Sequence, residues 1–450
     1  MGLSDIRPDR VTLINAGHVV PVCPDRGALK DHTVVIADDL ILELAPTAEV
    51  LRRWPGAQRI DLPGHVLLPG LVNAHTHSPM NLLRGYADDM ELHVWLQEHI
   101  WPAEARYVNP EFVQDGTRLA VAEMLRSGTT CFNDMYFFPG STIEVCHQAG
   151  IRVSAGITII EMASSWATDV EAYIEKGLEL SAQWHEDPLV SFALAPHSPY
   201  TVSDDTMRRV ADLSQNSGFP VHMHLLETEW EIKHSFQQYD VHPITRLQQH
   251  GLVNERLIAV HMVQLSAEDI GRVAESGASV VHCPQSNLKL ASGFCPVAAL
   301  MEAGVNVALG TDGAAANNNL DLLGEAQTAA LLAKGVASDA KAVNAFQALE
   351  MATINGARAL GLGDRLGSIE AGKQADLVAL DLVQPETQPL HHVVSTLVYA
   401  ASSRQVTDVW VAGRRLLKSG ELTTIDMDEV MSSAARWQKR LAAFEKKVGN

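Results

Sequence analysis

LVNAHTH, residues 71–77, is a short apolar run that ends in two histidines one residue apart. In a strand, residues i and i+2 point to the same face. His75 and His77 would then present two imidazoles side by side at a strand end. Seven further apolar runs share this form: TTCFND (129–134), IRVSAGITII (151–160), VSFALAPH (190–197), PVHMHLLE (220–227), LIAVHMVQL (257–265), ASVVHCPQS (278–286) and NVALGTD (306–312). Helix-like stretches such as PEFVQDGTRLAVAEMLRSG and SAEDIGRVAESG separate most of them. Alternating strands and helices imply a parallel sheet. Eight such units over about 250 residues suit a (β/α)8 TIM-type barrel of the α/β class. A doubly wound open sheet would usually carry a glycine-rich phosphate turn after an early strand, and neither GxGxxG nor GxxxxGK[ST] occurs.

The flanks read differently. Residues 11–61 hold short alternating runs, VTLINA, HVVPV, HTVVIADD and LILELA, broken by Asp, Gly and Pro; residues 366–417 resume the style in LGSIEAGKQADLVALDL and VTDVWVAGRRLL. Both flanks are expected to be β-structure and to build one small β-sandwich domain together. The expected division is 1–66 and 365–450 for that domain, with 67–364 as the barrel. The tail MDEVMSSAARWQKRLAAFEKK has helical spacing and a basic end, as suits a C-terminal helix.

Bulk properties narrow the function. The chain has 450 residues, 46% of them hydrophobic, enough for a large core and more than one domain. No apolar run approaches the ~18–20 residues of a membrane span. The opening MGLSDIRPDRVTLINAGHVV lacks the charged-then-apolar layout of a signal peptide. Five cysteines without a CxxC are expected to be reduced thiols in the cytoplasm. A formal net charge of −20 disfavours nucleic acid and anionic membranes as partners.

Polar residues gather at the C-terminal ends of the proposed strands: His75 and His77 on the first, Asp134 on the second, His197 on the fourth, His222, His224 and Glu227 on the fifth, His261 on the sixth, Asp312 on the eighth. Barrel active sites occupy that face. Taken alone, a strand histidine is a satisfied core residue and an Asp-Gly is a turn. Together they would leave several buried polar groups unpaired, at ~1–3 kcal/mol each. A shared metal ion removes that difficulty. Imidazoles with a carboxylate suit zinc, and iron(II) or manganese(II) are also compatible. Such an ion lowers the pKa of water towards ~7 and makes it a nucleophile at neutral pH. Glu227, three residues past His224, is placed to carry a proton. His261 and Asp312 could orient the water and take up its proton.

PGLVNAHTH, APHSPYTVS, HMHLLETEWE, HCPQSNLKLASG and GTDGAAANNNLDLL follow one another in this order. By these motifs the chain resembles the amidohydrolase superfamily over nearly its whole length. More narrowly it is similar to the branch holding cytosine-deaminase-type, triazine-hydrolase-type and methylthioadenosine/S-adenosylhomocysteine deaminases. The resemblance implies His75, His77, His224 and Asp312 as metal ligands, Glu227 as proton shuttle and His261 as partner of the attacking water. His222 competes with His224, since both share a face, and the His-x-x-Glu spacing favours His224. No lysine ends the fourth strand, where dinuclear members carry a carbamylated one, so a single divalent ion is expected, zinc first. Deaminases of this kind carry a tryptophan and a glutamate nine residues apart after the first strand. MELHVWLQEHIWPAEARY supplies Trp95 and Glu104 at that spacing. On their own these two would fit an amphipathic helix, with Trp95 in the core and Glu104 on the surface. The resemblance instead implies that Trp95 packs on a nucleoside, Glu104 accepts bonds from its ribose hydroxyls, and His197 contacts the purine. Ser286 and Asn287 would line the same pocket.

The implied activity is hydrolytic deamination of 5′-methylthioadenosine, S-adenosylhomocysteine or adenosine at adenine C6, by a homo-oligomer. Rival readings are a guanine or 8-oxoguanine deaminase, a triazine hydrolase, or a barrel scaffold without activity. The sequence departs from the pattern twice. Ala316 stands where relatives often place serine, so a supporting bond is expected to be missing. ITIIEMASSWATD (157–169) has no arginine or lysine to hold a homocysteine carboxylate, which points to the methylthio substrate.

Overall fold

Each apolar run is followed by a helix-forming stretch long enough to carry the chain back, so successive runs can pair in parallel. The computed structural model describes residues 10–24 and 27–448, with side chains to residue 443. It places the eight runs as strands β1 (Leu71–Thr76), β2 (Thr129–Tyr136), β3 (Arg152–Ile159), β4 (Val190–Pro196), β5 (Val221–Leu225), β6 (Leu257–His261), β7 (Ser279–His282) and β8 (Asn306–Leu309). They lie side by side in chain order, every pair parallel. Buried residues run the whole length of β1, β2, β3, β5, β6 and β7. That is the pattern of a parallel sheet covered on both faces.

The seam between β8 and β1 is closed largely by side chains. Asn73 Nδ2 donates to Thr311 Oγ1 at 2.7 Å, and Asn73 Oδ1 accepts from the Thr311 amide at 3.0 Å. One residue on, the Asp312 amide donates to the His75 carbonyl at 3.1 Å. Gly310 allows this approach, because a Cβ there would come within 2.8 Å of the His75 Cβ. The seam therefore brings His75 and Asp312, far apart in the chain, to one end of the ring.

Both flanks enter one nine-stranded sheet. The strand Gln58–Pro69 sits in its middle, parallel to Val11–Val19 and antiparallel to Leu377–Asp381. Alternate residues of its strands enter two different apolar clusters. Ile14, Val34 and Ile36 pack on one face, and Leu13, Val35 and Ala37 on the other. The sheet is thus covered on both sides, as the alternating sequence requires. Residues 1–9, which include part of the opening stretch read above for a signal peptide, lie outside the described residues. Among the described residues no helix is long and apolar enough to cross a membrane.

A buried ion pair fastens the sheet to the barrel. Arg152, at the start of β3, donates Nε to Asp376 Oδ2 at 2.7 Å and Nη2 to Asp376 Oδ1 at 3.1 Å. Both side chains are 3% exposed. Asp376→Ala would leave the guanidinium buried without its carboxylate. It is expected to cost about 3–5 kcal/mol of stability in urea denaturation; a loss under 1 kcal/mol would show that water reaches Arg152.

Candidate functional site

The strand ends converge on one cavity of about 490 Å³, lined by His77, Trp95, Glu104, His197, His224, Glu227, His261 and Asp312 among others. His75 lies directly behind it, fully buried, its Nε2 3.3 Å from Asp312 Oδ1. His77 Nε2 is 3.2 Å from the same oxygen and 3.3 Å from His224 Nε2. His75, His224 and His261 also place ring nitrogens within 4.8 Å of one another. Of the competing pair on β5, His224 points a nitrogen at this centre. His222 points Nε2 at His75 Nδ1, 2.9 Å away.

Backbone geometry aims these groups. His261 has φ 73°, Asp312 φ 59° and Leu226 φ 52°. Left-handed conformations at non-glycine residues are strained and cluster at functional sites. Each lies at or just past a strand end, where it turns the chain sharply. The Leu226 turn is held by Glu231, whose carboxylate accepts from the Leu226 amide at 3.0 Å and the Glu227 amide at 3.2 Å.

The hydrogen bonds decide which nitrogens face the centre. His77 Nδ1 lies 2.6 Å from the Met135 carbonyl, and His224 Nδ1 lies 2.7 Å from the His197 carbonyl. A carbonyl only accepts, so both Nδ1 atoms carry hydrogen. The two Nε2 atoms then face each other at 3.3 Å, an arrangement that needs either a proton or a metal cation between them. The electrostatics agree. Burial lowers His77, yet Asp312 beside it outweighs burial and raises its pKa to about 9, so without an ion a proton takes the place between the rings that a cation would fill. Burial raises Asp312, but His75 and His77 hold it well below the carboxylate range. Burial lowers His75 to about 4 and His224 well below the usual value, so both rings are neutral donors of lone pairs. His75 Nε2 is buried with no well-aligned hydrogen-bond partner among the described residues. Donor separations of 3.2–3.3 Å are also the edges of a tetrahedron with bonds of about 2.0 Å. The residues fit one divalent transition-metal ion.

Glu227 stands next to this cluster. Its Oε2 is 3.8 Å from His261 Nε2, and its Oε1 accepts from Ser292 Oγ at 3.0 Å. Burial raises its pKa, so it can hold a proton nearer neutral pH than a free carboxylate. Ser286 and Asn287 do not line the cavity; they stand behind it. Ser286 Oγ donates to Asp312 Oδ2 at 2.6 Å, and Asn287 Oδ1 lies 2.9 Å from His261 Nδ1. Both come from the short helix Pro284–Lys289 that follows β7. Ser286 supports Asp312 directly, although Ala316 cannot. Asp134 also falls outside the site. It accepts from the Ser78 amide at 2.6 Å and Thr76 Oγ1 at 3.1 Å, pinning the turn after His77.

Trp95 and Glu104 meet the same cavity for a reason that spacing alone obscures. Nine residues make about two and a half turns of α-helix, which would put them on opposite faces. Here Trp95–Ile100 is a π-helical segment between the helices Leu92–Val94 and Trp101–Tyr107. Its wider i→i+5 turns rotate less per residue, so the two side chains no longer point opposite ways and both line the cavity. Glu104 Oε1 accepts from Tyr136 Oη at 2.6 Å. Burial raises the Glu104 pKa to about 7 despite that bond. Sequence reasoning missed Tyr136 and Ser292. β2 runs two residues beyond TTCFND, and an aromatic at a barrel strand's C-terminal end was the available signal.

Comparison with known proteins agrees with this geometry. The amidohydrolase family model matches residues 66–416. The chain is 49% identical to the 5-methylthioadenosine/S-adenosylhomocysteine deaminase of Teredinibacter turnerae, across 96% of this chain and 97% of that one. A solved structure described as an adenosine deaminase from Xanthomonas campestris with bound zinc is 53% identical, covering 96% of this chain and 98% of its own, with a TM-score of 0.95. A triazine hydrolase variant, 24% identical with a TM-score of 0.89 over 95% of this chain and 99% of its own, shares the fold. With its barrel, its strand-end histidines and a family match across most of its length, the chain belongs to the amidohydrolase family.

Proposed function

We propose that this protein is a metal-dependent aminohydrolase that deaminates adenine nucleosides at C6, acting on 5′-methylthioadenosine, S-adenosylhomocysteine or both and releasing ammonia. The observation that carries the proposal is one cavity holding both a cluster that calls for a cation and the Trp95–Glu104 pair. His75, His77, His224 and Asp312 would hold the ion. Zinc is the assignment, following the Xanthomonas campestris relative, and iron(II) or manganese(II) would suit the same donors. When bound, the ion supplies a nucleophile by lowering the pKa of water towards ~7.

The protein's own groups do the rest. Glu227, raised by burial and held by Ser292, gives a proton to ring N1 and makes C6 more electrophilic. His261, fixed by Asn287, and Asp312, fixed by Ser286, orient the attacking water and accept its proton. Glu227, left as a carboxylate, takes up the proton that His261 and Asp312 received from the water and hands it to the amine; ammonia leaves, and the proton of the new C6 hydroxyl restores Glu227. Glu104 takes the two ribose hydroxyls as an ionised acceptor, while Tyr136 holds one of its oxygens. Trp95 packs on the nucleoside, and His197 meets the purine edge. The acidic surface disfavours nucleic acid. A cytoplasmic homo-oligomer is part of the same proposal.

The test is ammonia release from adenosine, 5′-methylthioadenosine, S-adenosylhomocysteine, adenine and guanine, with and without a strong chelator. Turnover of free guanine but no nucleoside would replace the proposal with a base deaminase. Activity unchanged after complete metal removal would end it.

A finer preference rests on the wall. Neither the cavity nor the adjoining hollow of about 320 Å³ that shares Trp101, Ile160, Met162 and Tyr200 has an arginine or lysine among its lining residues. The hollow instead carries Glu161, whose hydrogen bonds from Ser203 and Thr206 outweigh burial and keep its pKa low. A homocysteine carboxylate would find no counter-charge. We therefore expect kcat/KM for 5′-methylthioadenosine to exceed that for S-adenosylhomocysteine by at least about tenfold, the ~1.4 kcal/mol of one modest charge contact. Equal values would show that a cation comes from elsewhere.

The Glu104 pKa of about 7 gives a pH signature. The ionised form accepts the diol, so KM for nucleosides should rise as pH falls through 7, with little change from this group above it. Glu104→Gln should abolish this dependence and raise KM for nucleosides far more than for free bases. A pH profile identical in the variant would remove Glu104 from the ribose site.

A further inference from the structure

We propose that His222 is a positioning residue that sets the tautomer of His75, accepting the His75 Nδ1–H so that Nε2 offers its lone pair to the metal centre. The inference rests on the assignment of His75 as a ligand. His75 on β1 and His222 on β5 meet across the barrel interior, both fully buried, with Nδ1 of His75 2.9 Å from Nε2 of His222. Two neutral imidazoles so placed share one hydrogen, and two arrangements satisfy the contact. In one, His222 Nε2–H donates; His75 must then carry its own hydrogen on Nε2 and cannot coordinate. In the other, His75 Nδ1–H donates, its Nε2 is free, and His222 carries hydrogen on Nδ1. Only the second is compatible with an ion at the site.

Two neighbours bear on this choice: His222 at Nδ1, and Asp312, whose Oδ1 lies 3.3 Å from Nε2 and would accept a hydrogen there when no ion is bound. Among the described residues neither His75 Nε2 nor His222 Nδ1, both buried, has a well-aligned hydrogen-bond partner. Among the described residues no carbonyl or carboxylate meets His75 Nδ1 as Met135 and His197 meet the other two rings. Ligating histidines usually direct their second nitrogen to a carboxylate, a carbonyl or water. A neutral imidazole in that role orients the ring without adding negative charge. It therefore leaves the ion a stronger acid than a carboxylate partner would. This explains why β5 carries two histidines at i and i+2. His224 faces the centre, and His222, one step deeper, faces a ring that does.

Zinc affinity by chelator competition tests the proposal without reference to turnover. His222→Leu, which fills the space but cannot accept, is expected to weaken zinc binding about 10–100-fold. His222→Gln, whose carbonyl oxygen can reach the position of Nε2, should recover most of the loss. The second readout uses the unmodified protein, so it survives a variant that fails to fold. Nitrogen-15 NMR of the zinc-loaded enzyme should show His222 protonated at Nδ1 and bare at Nε2. The reverse tautomer, or parent-like zinc affinity in His222→Leu, overturns the inference. If the unmodified protein binds no zinc at all, the metal assignment fails instead.

Discussion

Glu227→Gln is expected to lower kcat by about 10²–10⁴-fold, the range for a positioned proton carrier, with a much smaller change in KM. The reason lies in what glutamine retains. It fills the same volume and keeps an oxygen to accept from Ser292, so substrate still enters. It cannot give a proton to N1 or help ammonia leave. The raised pKa of the carboxyl, caused by burial, brings its proton exchange closer to working pH. The variant should also lose the alkaline limb of the kcat profile, because that limb marks Glu227 losing the proton it delivers. Steady-state rates across pH, with zinc content checked in each preparation, decide the matter. A variant within tenfold of the parent would hand proton transfer to another group, and His261, 3.8 Å away, would be the first to examine.

Asp312→Asn should cost the site its metal. Among the described residues the carboxylate is the one anion that contacts both His75 and His77. It is also what raises His77 to about 9 against the pull of burial. Removing one partner of a buried charge pair costs about 3–5 kcal/mol. Zinc should therefore bind about 10²–10⁴-fold more weakly. Activity should fall with occupancy, and only part should return at saturating zinc, because the water's proton has lost an acceptor. Unchanged affinity would mean that the ion is held by the imidazoles alone. His75, His224 and His261 would then be the set to test.

The barrel was readable because parallel strands buried on both faces leave continuous apolar runs, and eight of them sit between helix formers. The convergence of His75, His77, His224, His261 and Asp312 was readable for the same reason, since a barrel gathers strand ends at one face. Other features depend on atoms the one-dimensional pattern does not carry. The π turns at Trp95–Ile100 leave no mark in apolar spacing, yet they decide where Glu104 points. Ser286 and Asn287 are neighbours in a motif that reads as cavity lining. In three dimensions their short helix stands behind Asp312 and His261. Asp134 has the residue type of a ligand at a plausible strand position, and amide and hydroxyl donors already occupy it.

If Glu104 takes the ribose as proposed, the loosely wound stretch before it makes sugar recognition depend on chain length as well as on side-chain identity. Dropping one residue there would tighten the coil and swing the carboxylate off the wall, leaving the hydrolytic centre intact. Lineages built on this scaffold could in that way trade nucleosides for bare heterocycles through a single codon gained or lost.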